Sequence, residues 1–234
     1  MFYVTSASAF LGIGDPKVEV TTPNQIAEGG VVPIYVRADN FENDPIKSIS
    51  LTLEGNQVGQ QMAFVLNLEK PRHMVFISTR IRLSSSGVSP ITVQITPVSG
   101  KILTKTFRSG NVVKPVDFAN PDTLNVVFQG SFVFPKDDLG QPMLRVSKNK
   151  GDASELEIKG LLHHPMLPST KTDKGFFINS VVFFYENENI GTFETGSALS
   201  NDPFLQLSIK DDRSVGTAKM VWKDVKGNSF EGTQ

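Results

Sequence analysis

Short runs in which apolar and polar residues alternate recur throughout the first half of the chain. In the run at 46–53, Ile49, Leu51 and Leu53 would share one face of an extended strand. The intervening Ser50 and Thr52 would lie on the opposite face. Comparable runs occupy 17–22, 32–36, 75–83, 91–96 and 101–107, and turn residues separate them. No stretch has a convincing helical period, so the pattern predicts an all-β fold of the immunoglobulin-like sandwich type.

The second half of the chain repeats this style. Its alternating or apolar runs lie at 155–162, 176–185, 190–193, 204–209 and 218–222. The polar residues Lys226-Gly227-Asn228 then predict a terminal hairpin. We therefore expect two immunoglobulin-like β-sandwich domains in tandem, the first at 1–108 and the second at 144–234. Both faces of the run at 176–185 are apolar, so we expect one face to fill the second core and the other to meet the first domain or the segment between the domains.

The segment 109–143 separates the two predicted domains. Both of its ends are rich in proline, asparagine and aspartate, which is typical of a linker. Its middle, at 124–134, alternates apolar and polar residues and is interrupted at Gly130. We therefore predict a linker with an extra strand that buries Phe128 and Phe132.

Composition excludes several classes of function. The chain has 23 Lys and Arg against 24 Asp and Glu, for a formal net charge of −1. The basic residues are scattered along the sequence, so we expect no nucleic-acid partner and no binding to an anionic membrane. No apolar run approaches the roughly 20 residues of a membrane span. The chain has no cysteine, which excludes disulfides, thiolate catalysis and cysteine-based zinc sites.

The conspicuous candidate for chemistry is His163-His164-Pro165-Met166. Adjacent residues on a strand point to opposite faces, so a structural turn is favoured over a metal site here. No nucleotide motif or serine-hydrolase elbow occurs. An unrecognised hydrolase would need His163 or His164 beside a serine and a carboxylate. We predict no enzymatic activity, no metal and no cofactor.

The two arginines of the run at 75–83 are a weaker candidate. Arg80 and Arg82 alternate with apolar residues, so they would share one face of a strand. They could form an anion site or pair with acidic neighbours. An exposed sheet face is the favoured interpretation.

Several segments resemble the two subunits of the SoxYZ sulfur carrier of bacterial thiosulfate oxidation. The segments that resemble SoxY are Ala9-Phe10-Leu11-Gly12, 26–34 and 77–83. Those that resemble SoxZ are His164-Pro165-Met166, Phe177-Ile178, 201–207, and Trp222-Lys223-Asp224 with Gly227. Their order and spacing on one chain are similar to the fused SoxYZ-like proteins associated with quinoprotein dehydrogenases. This resemblance also implies an immunoglobulin-like sandwich for each half.

The resemblance implies a carrier site that this chain has lost. SoxY holds its sulfur intermediates on a cysteine in a flexible Gly-Gly-Cys-Gly-Gly arm after its last strand, and here that place reads Ser109, Gly110 and Asn111. A hydroxyl or an amide cannot form a persulfide, because only sulfur can be chained to sulfane sulfur. Two valines and a proline follow, and these are stiff residues. We therefore expect this degenerate carrier arm to be ordered against a domain surface.

Two hypotheses of function remain. The first is a periplasmic SoxYZ-like fusion, related to the sulfur-oxidation carriers, that binds a protein partner without carrying covalent sulfur. Its partner would be a periplasmic redox or sulfur-oxidation enzyme. The alternative is a structural or adhesive pair of β-sandwich domains unrelated to sulfur metabolism.

Overall fold

The computed structural model describes residues 15–55, 59–116, 140–168 and 175–234, together with the backbone of a short strand near the beginning. The strands before the predicted linker are β1 (Tyr3–Thr5), β2 (Lys17–Pro23), β3 (Gln25–Glu28), β4 (Val32–Asp39), β5 (Ile46–Gly55), β6 (Gly59–Arg72), β7 (Val75–Ile81), β8 (Pro90–Pro97), β9 (Leu103–Arg108) and β10 (Asn111–Lys114). Those after it are β11 (Pro142–Lys148), β12 (Glu155–Leu162), β13 (Ile178–Tyr185), β14 (Glu188–Thr195), β15 (Phe204–Lys210), β16 (Ala218–Asp224) and β17 (Ser229–Thr233). Among these residues there is no helix, and therefore none that is long and apolar enough to cross a membrane.

The strands form because their apolar residues recur at every second position. In β4, Val32, Ile34, Val36 and Ala38 are buried while the residues between them are half-buried. A period of two places such residues on one face of a pleated strand, which then packs against a second sheet. The prediction of an all-β fold is confirmed.

Two large sheets make up the sandwich. The seven-stranded sheet has the order β1-β2-β4-β7-β15-β12-β11, and the eight-stranded sheet has the order β17-β16-β13-β14-β6-β5-β8-β9. All neighbours in both sheets are antiparallel. The buried apolar residues of the two sheets form one continuous core.

Each half of the chain contributes a block of strands to both sheets, and the blocks meet edge to edge. In the seven-stranded sheet β7 pairs with β15, with Ile77 opposite Leu207. In the eight-stranded sheet β6 pairs with β14, with Leu66 opposite Phe193. The fold is therefore two tandem sandwiches whose sheets run on from one into the other. We call these two strand pairs the seam.

Aromatic packing crosses the seam in the core. Phe193 of β14 contacts Phe64 of β6, with ring centroids 5.5 Å apart, and Phe183 of β13, with centroids 5.3 Å apart. All three side chains are fully buried. Edge-to-face and tilted arrangements of this kind add to the stabilisation from area burial alone. The two halves consequently share their core as well as their sheets.

The expectation that β13 fills the second core with one face is confirmed, because Val181, Phe183 and Tyr185 are buried. The other face is only half-buried, and Lys219 Nζ lies 4.9 Å from the ring centroid of Phe184 there. Among the described residues the two halves meet through the seam, which sequence did not predict. The predicted strand at 124–134, with Phe128 and Phe132, lies outside the described residues.

We predict that the two halves unfold together. Replacing Phe64→Ala removes a ring at the seam and should lower the free energy of unfolding by about 3–5 kcal/mol. Fluorescence of Trp222, the only tryptophan and a buried residue of the second half, should report this loss in urea. The exposed Thr104→Ala should change stability by less than about 0.5 kcal/mol. If Trp222 unfolds at the wild-type midpoint in F64A, the halves fold independently and the shared core is refuted.

Candidate functional site

The segment that follows β9 begins with a buried turn at Ser109. Its backbone N–H donates to the carbonyl oxygen of Ser89 at 2.9 Å, and the Ser89 N–H donates to Ser109 Oγ at 2.9 Å. The same hydroxyl donates to the carbonyl oxygen of Gly110 at 2.9 Å. Ser109 is 5% exposed. Its hydroxyl therefore acts as a local connector and does not face solvent.

Gly110 packs directly against another stretch of backbone. A Cβ atom at this position would lie 1.8 Å from the carbonyl oxygen of Pro23 and 2.7 Å from that of Asn24. The Gly110 N–H donates to Thr22 Oγ1 at 3.1 Å. Glycine is required here by the close approach of two backbone segments, and this role differs from the flexibility that glycine gives a mobile arm.

The next residues form β10, which pairs in parallel with β3. The Asn111 N–H donates to the carbonyl oxygen of Asn24 at 2.9 Å, and Val112 exchanges two backbone hydrogen bonds with Gly87, at 2.8 and 2.9 Å. The Lys114 carbonyl accepts from the Gly29 N–H at 2.7 Å. Segment 109–114 is thus tied to three separate parts of the first half.

The expectation that this segment is ordered against a domain surface is confirmed. The Val112 side chain is buried at 2% exposure, whereas Asn111 and Val113 face solvent. Of the three residues predicted at the carrier position, Asn111 alone presents its side chain outward. The assignment of Ser109, Gly110 and Asn111 as a degenerate carrier arm remains a prediction.

The turn that contains the adjacent histidines lies between β12 and β13. Met166 adopts a positive φ of 51° and is fully buried, and its sulfur accepts the Ile178 N–H at 3.3 Å. His164 Nδ1 accepts the Met166 N–H at 3.2 Å. A non-glycine residue with positive φ needs such support from its surroundings. The prediction of a structural turn is confirmed.

The two imidazoles have different neighbours. His163 Nδ1 lies 3.6 Å from an oxygen of Asp202, while His164 Nε2 lies 4.0 Å from an oxygen of Asp224. Burial lowers the pKa of His164 to about 4, although the Asp224 carboxylate acts in the opposite direction. In the part of the chain that the structure describes, no three His, Asp or Glu side chains gather as a set of metal ligands.

Arg82 is the residue that sequence reasoning misjudged. It is 1% exposed, and its guanidinium donates to the carbonyl oxygens of Met166 at 2.5 Å, Ser197 at 3.2 Å and Pro165 at 3.3 Å. Burial lowers its pKa to about 10. The favoured interpretation of an exposed sheet face is wrong for Arg82, because the seam places it under the second half of the chain.

Arg80 has a different environment. Its guanidinium carbon lies 5.6 Å from the ring centroid of Phe204, which belongs to the second half. The neighbouring arginines therefore both contact residues across the seam, one through carbonyl groups and the other through an aromatic ring. No local sequence signal distinguishes these environments, because each depends on residues more than eighty positions away.

Two family models match the chain. The model described as Sulfur oxidation protein SoxY matches residues 7–106, and the model described as Sulphur oxidation protein SoxZ matches residues 144–234. The matched regions correspond to the strand blocks on either side of the seam. Segment 109–114 follows directly after the SoxY match. No curated protein matches the chain.

We predict that Gly110 tolerates no side chain. The Gly110→Ala substitution forces a methyl group into the backbone of residues 23 and 24, and should cost about 1–3 kcal/mol in urea unfolding. The control is Gly151→Ala, where the nearest atom to the new Cβ would be Asn149 Oδ1 at 3.5 Å. Equal midpoints for G110A and G151A would show that segment 109–114 is not packed as described.

We also predict a pH dependence that belongs to His164. Its pKa is about 4 in the folded protein against 6.5 in the unfolded chain, so below pH 6.5 the unfolded chain binds more protons. Stability should be fully present above pH 6.5 and fall by up to about 3 kcal/mol as the pH drops towards 4. Urea unfolding from pH 7 to 4.5 should show a shallower slope in His164→Gln than in the wild type. Identical slopes for H164Q and the wild type would contradict the assignment.

Proposed function

The chain belongs to the SoxY and SoxZ families as a fusion of the two, and we propose that it binds a partner protein without itself carrying covalent sulfur. It is related to the carriers of sulfur oxidation. The proposal concerns the finer role: a non-enzymatic module that acts as a scaffold beside a periplasmic redox or sulfur-oxidation enzyme. The observation that carries it is segment 109–114, which has no thiol and is held by backbone hydrogen bonds where the resemblance to SoxY leads us to expect the carrier arm.

The chemistry of the carrier step requires a sulfur atom that this chain does not have. A carried sulfane is bonded to a thiolate sulfur, and its release needs a sulfur leaving group. The whole sequence contains no cysteine. Ser109 offers a hydroxyl and Asn111 an amide, and neither can form or break such a bond. Methionine is a thioether with no proton to lose, so it cannot take the place of the thiol.

The geometry of 109–114 also differs from that of a delivery arm. A group that visits several active sites must leave the protein surface at small free-energy cost. Here the segment would have to break backbone hydrogen bonds at Ser109, Asn111 and Val112 and expose the buried Val112 side chain. Each such hydrogen bond contributes about 1 kcal/mol net, and burial of the valine adds to this. The segment is therefore built to stay in place.

Partner binding is the family property that survives these losses. SoxYZ proteins work together with other proteins of sulfur oxidation. Both halves retain their sandwiches, and the seam keeps them in one arrangement that a partner could recognise. The family matches do not favour the alternative of a structural or adhesive pair of domains unrelated to sulfur metabolism.

We predict that the wild-type protein gains no sulfur. After incubation with polysulfide, intact-protein mass spectrometry should show an unchanged mass. Asn111→Cys would place a thiol on an exposed position and should acquire sulfur that a reductant removes. Ser109→Cys is the matched control, because its buried side chain should react far more slowly.

The second part of this experiment tests the arm. Thiosulfate-oxidising enzymes should not process the sulfur carried by N111C, because β10 holds residue 111 against the first half. Reductant-sensitive sulfur on the wild-type protein would refute the proposed function. Turnover of sulfur-loaded N111C would show that the segment still swings out.

A further inference from the structure

The open edge of β9 is a surface that the sulfur chemistry does not explain. β9 is the last strand of the eight-stranded sheet and pairs only with β8 among the residues that the structure describes. At the other end of the molecule, the edges of the two sheets cover one another. There the Pro142 ring of β11 lies 3.0 Å from where a Cβ of Gly232, on β17, would be. β9 has no such cover in the described ranges.

The hydrogen-bonding pattern shows which groups β9 presents at this edge. The β8–β9 register begins with Pro90 opposite Arg108, so Ser89 and Ser109 are the next pair beyond it. Ser109 donates its N–H to the Ser89 carbonyl, which makes this a hydrogen-bonded pair. Hydrogen-bonded and non-hydrogen-bonded pairs alternate along an antiparallel ladder. Thr104, Thr106 and Arg108 therefore turn their N–H and C=O groups away from β8. Pro90, opposite Arg108, has no N–H to donate, which agrees with Pro90 and Arg108 being a non-hydrogen-bonded pair.

Positive charge is concentrated around the same edge. Residues 84–116 contain Lys101, Lys105, Arg108 and Lys114 but no aspartate or glutamate, although the whole chain has a net charge of −1. None of these four makes an ion pair with a carboxylate in the described part of the chain. Carboxylates do lie near both ends of the stretch. Asp44 accepts hydrogen bonds from Ser99, and Glu28 lies opposite Lys114 in the β3–β10 register. β9 itself, which carries Lys105 and Arg108, has no acidic residue beside it on β8.

Exposed aliphatic side chains flank the strand. Val98 and Ile102, at the turn before β9, are both 57% exposed, and Val88 and Val113, beyond its end, are 50% and 59% exposed. Lysines alone would be the usual protection of a sheet edge against unwanted pairing. Cations together with solvent-exposed aliphatics at both ends instead form a surface that attracts acidic chains and has apolar area to bury.

We propose that the β9 edge is the docking site for an extended acidic segment of a partner protein, which adds to the eight-stranded sheet as a further strand. The outward backbone groups of Thr104, Thr106 and Arg108 would pair with the segment. Lys105 and Arg108 would contact its carboxylates, and Val88 and Ile102 its apolar side chains. This inference rests on the proposed protein-binding function and names the surface responsible for it.

The first test uses defined peptides. A peptide of about ten residues in which pairs of glutamates alternate with pairs of valines has carboxylates on both faces of a strand. It should bind the full-length protein in titration calorimetry at low salt, and a peptide with lysines in place of the glutamates should not. Hydrogen exchange should show rapid exchange of the Thr104, Thr106 and Arg108 amides in the free protein and slow exchange with the acidic peptide. Slow exchange in the free protein would mean that the edge is already paired, and would overturn the proposal.

Variants separate strand addition from simple charge attraction. Thr106→Pro removes an outward N–H but no backbone hydrogen bond to β8, so it should weaken binding of the acidic peptide at least about tenfold. The contact of the Thr106 hydroxyl with Thr92 Oγ1, at 3.4 Å, is lost equally in Thr106→Ala. Thr106→Ala keeps that N–H and should bind like the wild type. The K105E/R108E double variant should also lose at least about tenfold in affinity for the acidic peptide. This loss would come from charge alone, because neither substitution removes a backbone N–H. Equal affinities for T106P and T106A, or binding of both peptides, would refute strand addition.

Two further outcomes are distinguishable. Concentration-dependent dimerisation that T106P abolishes would identify a second copy of this chain as the occupant and would overturn the acidic partner. Sulfur uptake by the wild-type protein would refute the proposed function, whereas the peptide measurements would be unaffected. The failure of one proposal can therefore be told from the failure of the other.

Discussion

The structure depends on the pairing of strand edges between the two halves of the chain. The pairing of β7 with β15 and of β6 with β14 supplies hydrogen-bond partners for backbone groups that each half would otherwise expose along both of its sheets. Because the pairing occurs in both sheets, the apolar layers between them become one core, with Phe64 and Phe193 in contact across the boundary. Fusion on one chain keeps these edges at high effective concentration.

The buried charge of Arg82 is a consequence of that seam. A guanidinium without an ion-pair partner is costly to bury. Arg82 pairs with no carboxylate in the described part of the chain, and three carbonyl oxygens of the second half accept its hydrogen bonds. Two of these carbonyls belong to Pro165 and Met166, so the arginine of one half fixes the turn of the other. The positive φ of Met166 and the buried imidazole of His164 are stabilised in the same place. This turn is a joint between the two halves, which accounts for its unusual residues.

Sequence predicted the parts of the fold that depend on local periodicity. The alternation at 46–53 identified the buried face of β5, with Ile49, Leu51 and Leu53, and the family resemblance located the segment after β9 as the place of interest. The parallel pairing of β10 with β3 could not be predicted, because short strands that pair in parallel leave no signature in either segment. The environment of Arg82 was missed for a related reason, since its partners lie more than eighty residues away. The close approach of Gly110 to Pro23 could not be predicted either. The one sign of it in the sequence was that a single glycine remains where the SoxY arm has several.

Segment 109–114 is held as a fixed strand of the first half, at the place where the resemblance to SoxY leads us to expect a mobile carrier arm. Native-state hydrogen exchange of the Gly110, Asn111 and Val112 amides tests this most directly, since these N–H groups donate to Thr22, Asn24 and Gly87. We expect them to be protected to a degree similar to the amides at the centre of β8. Exchange at the rate of an unstructured peptide would show that the segment leaves the surface freely, and would contradict the account.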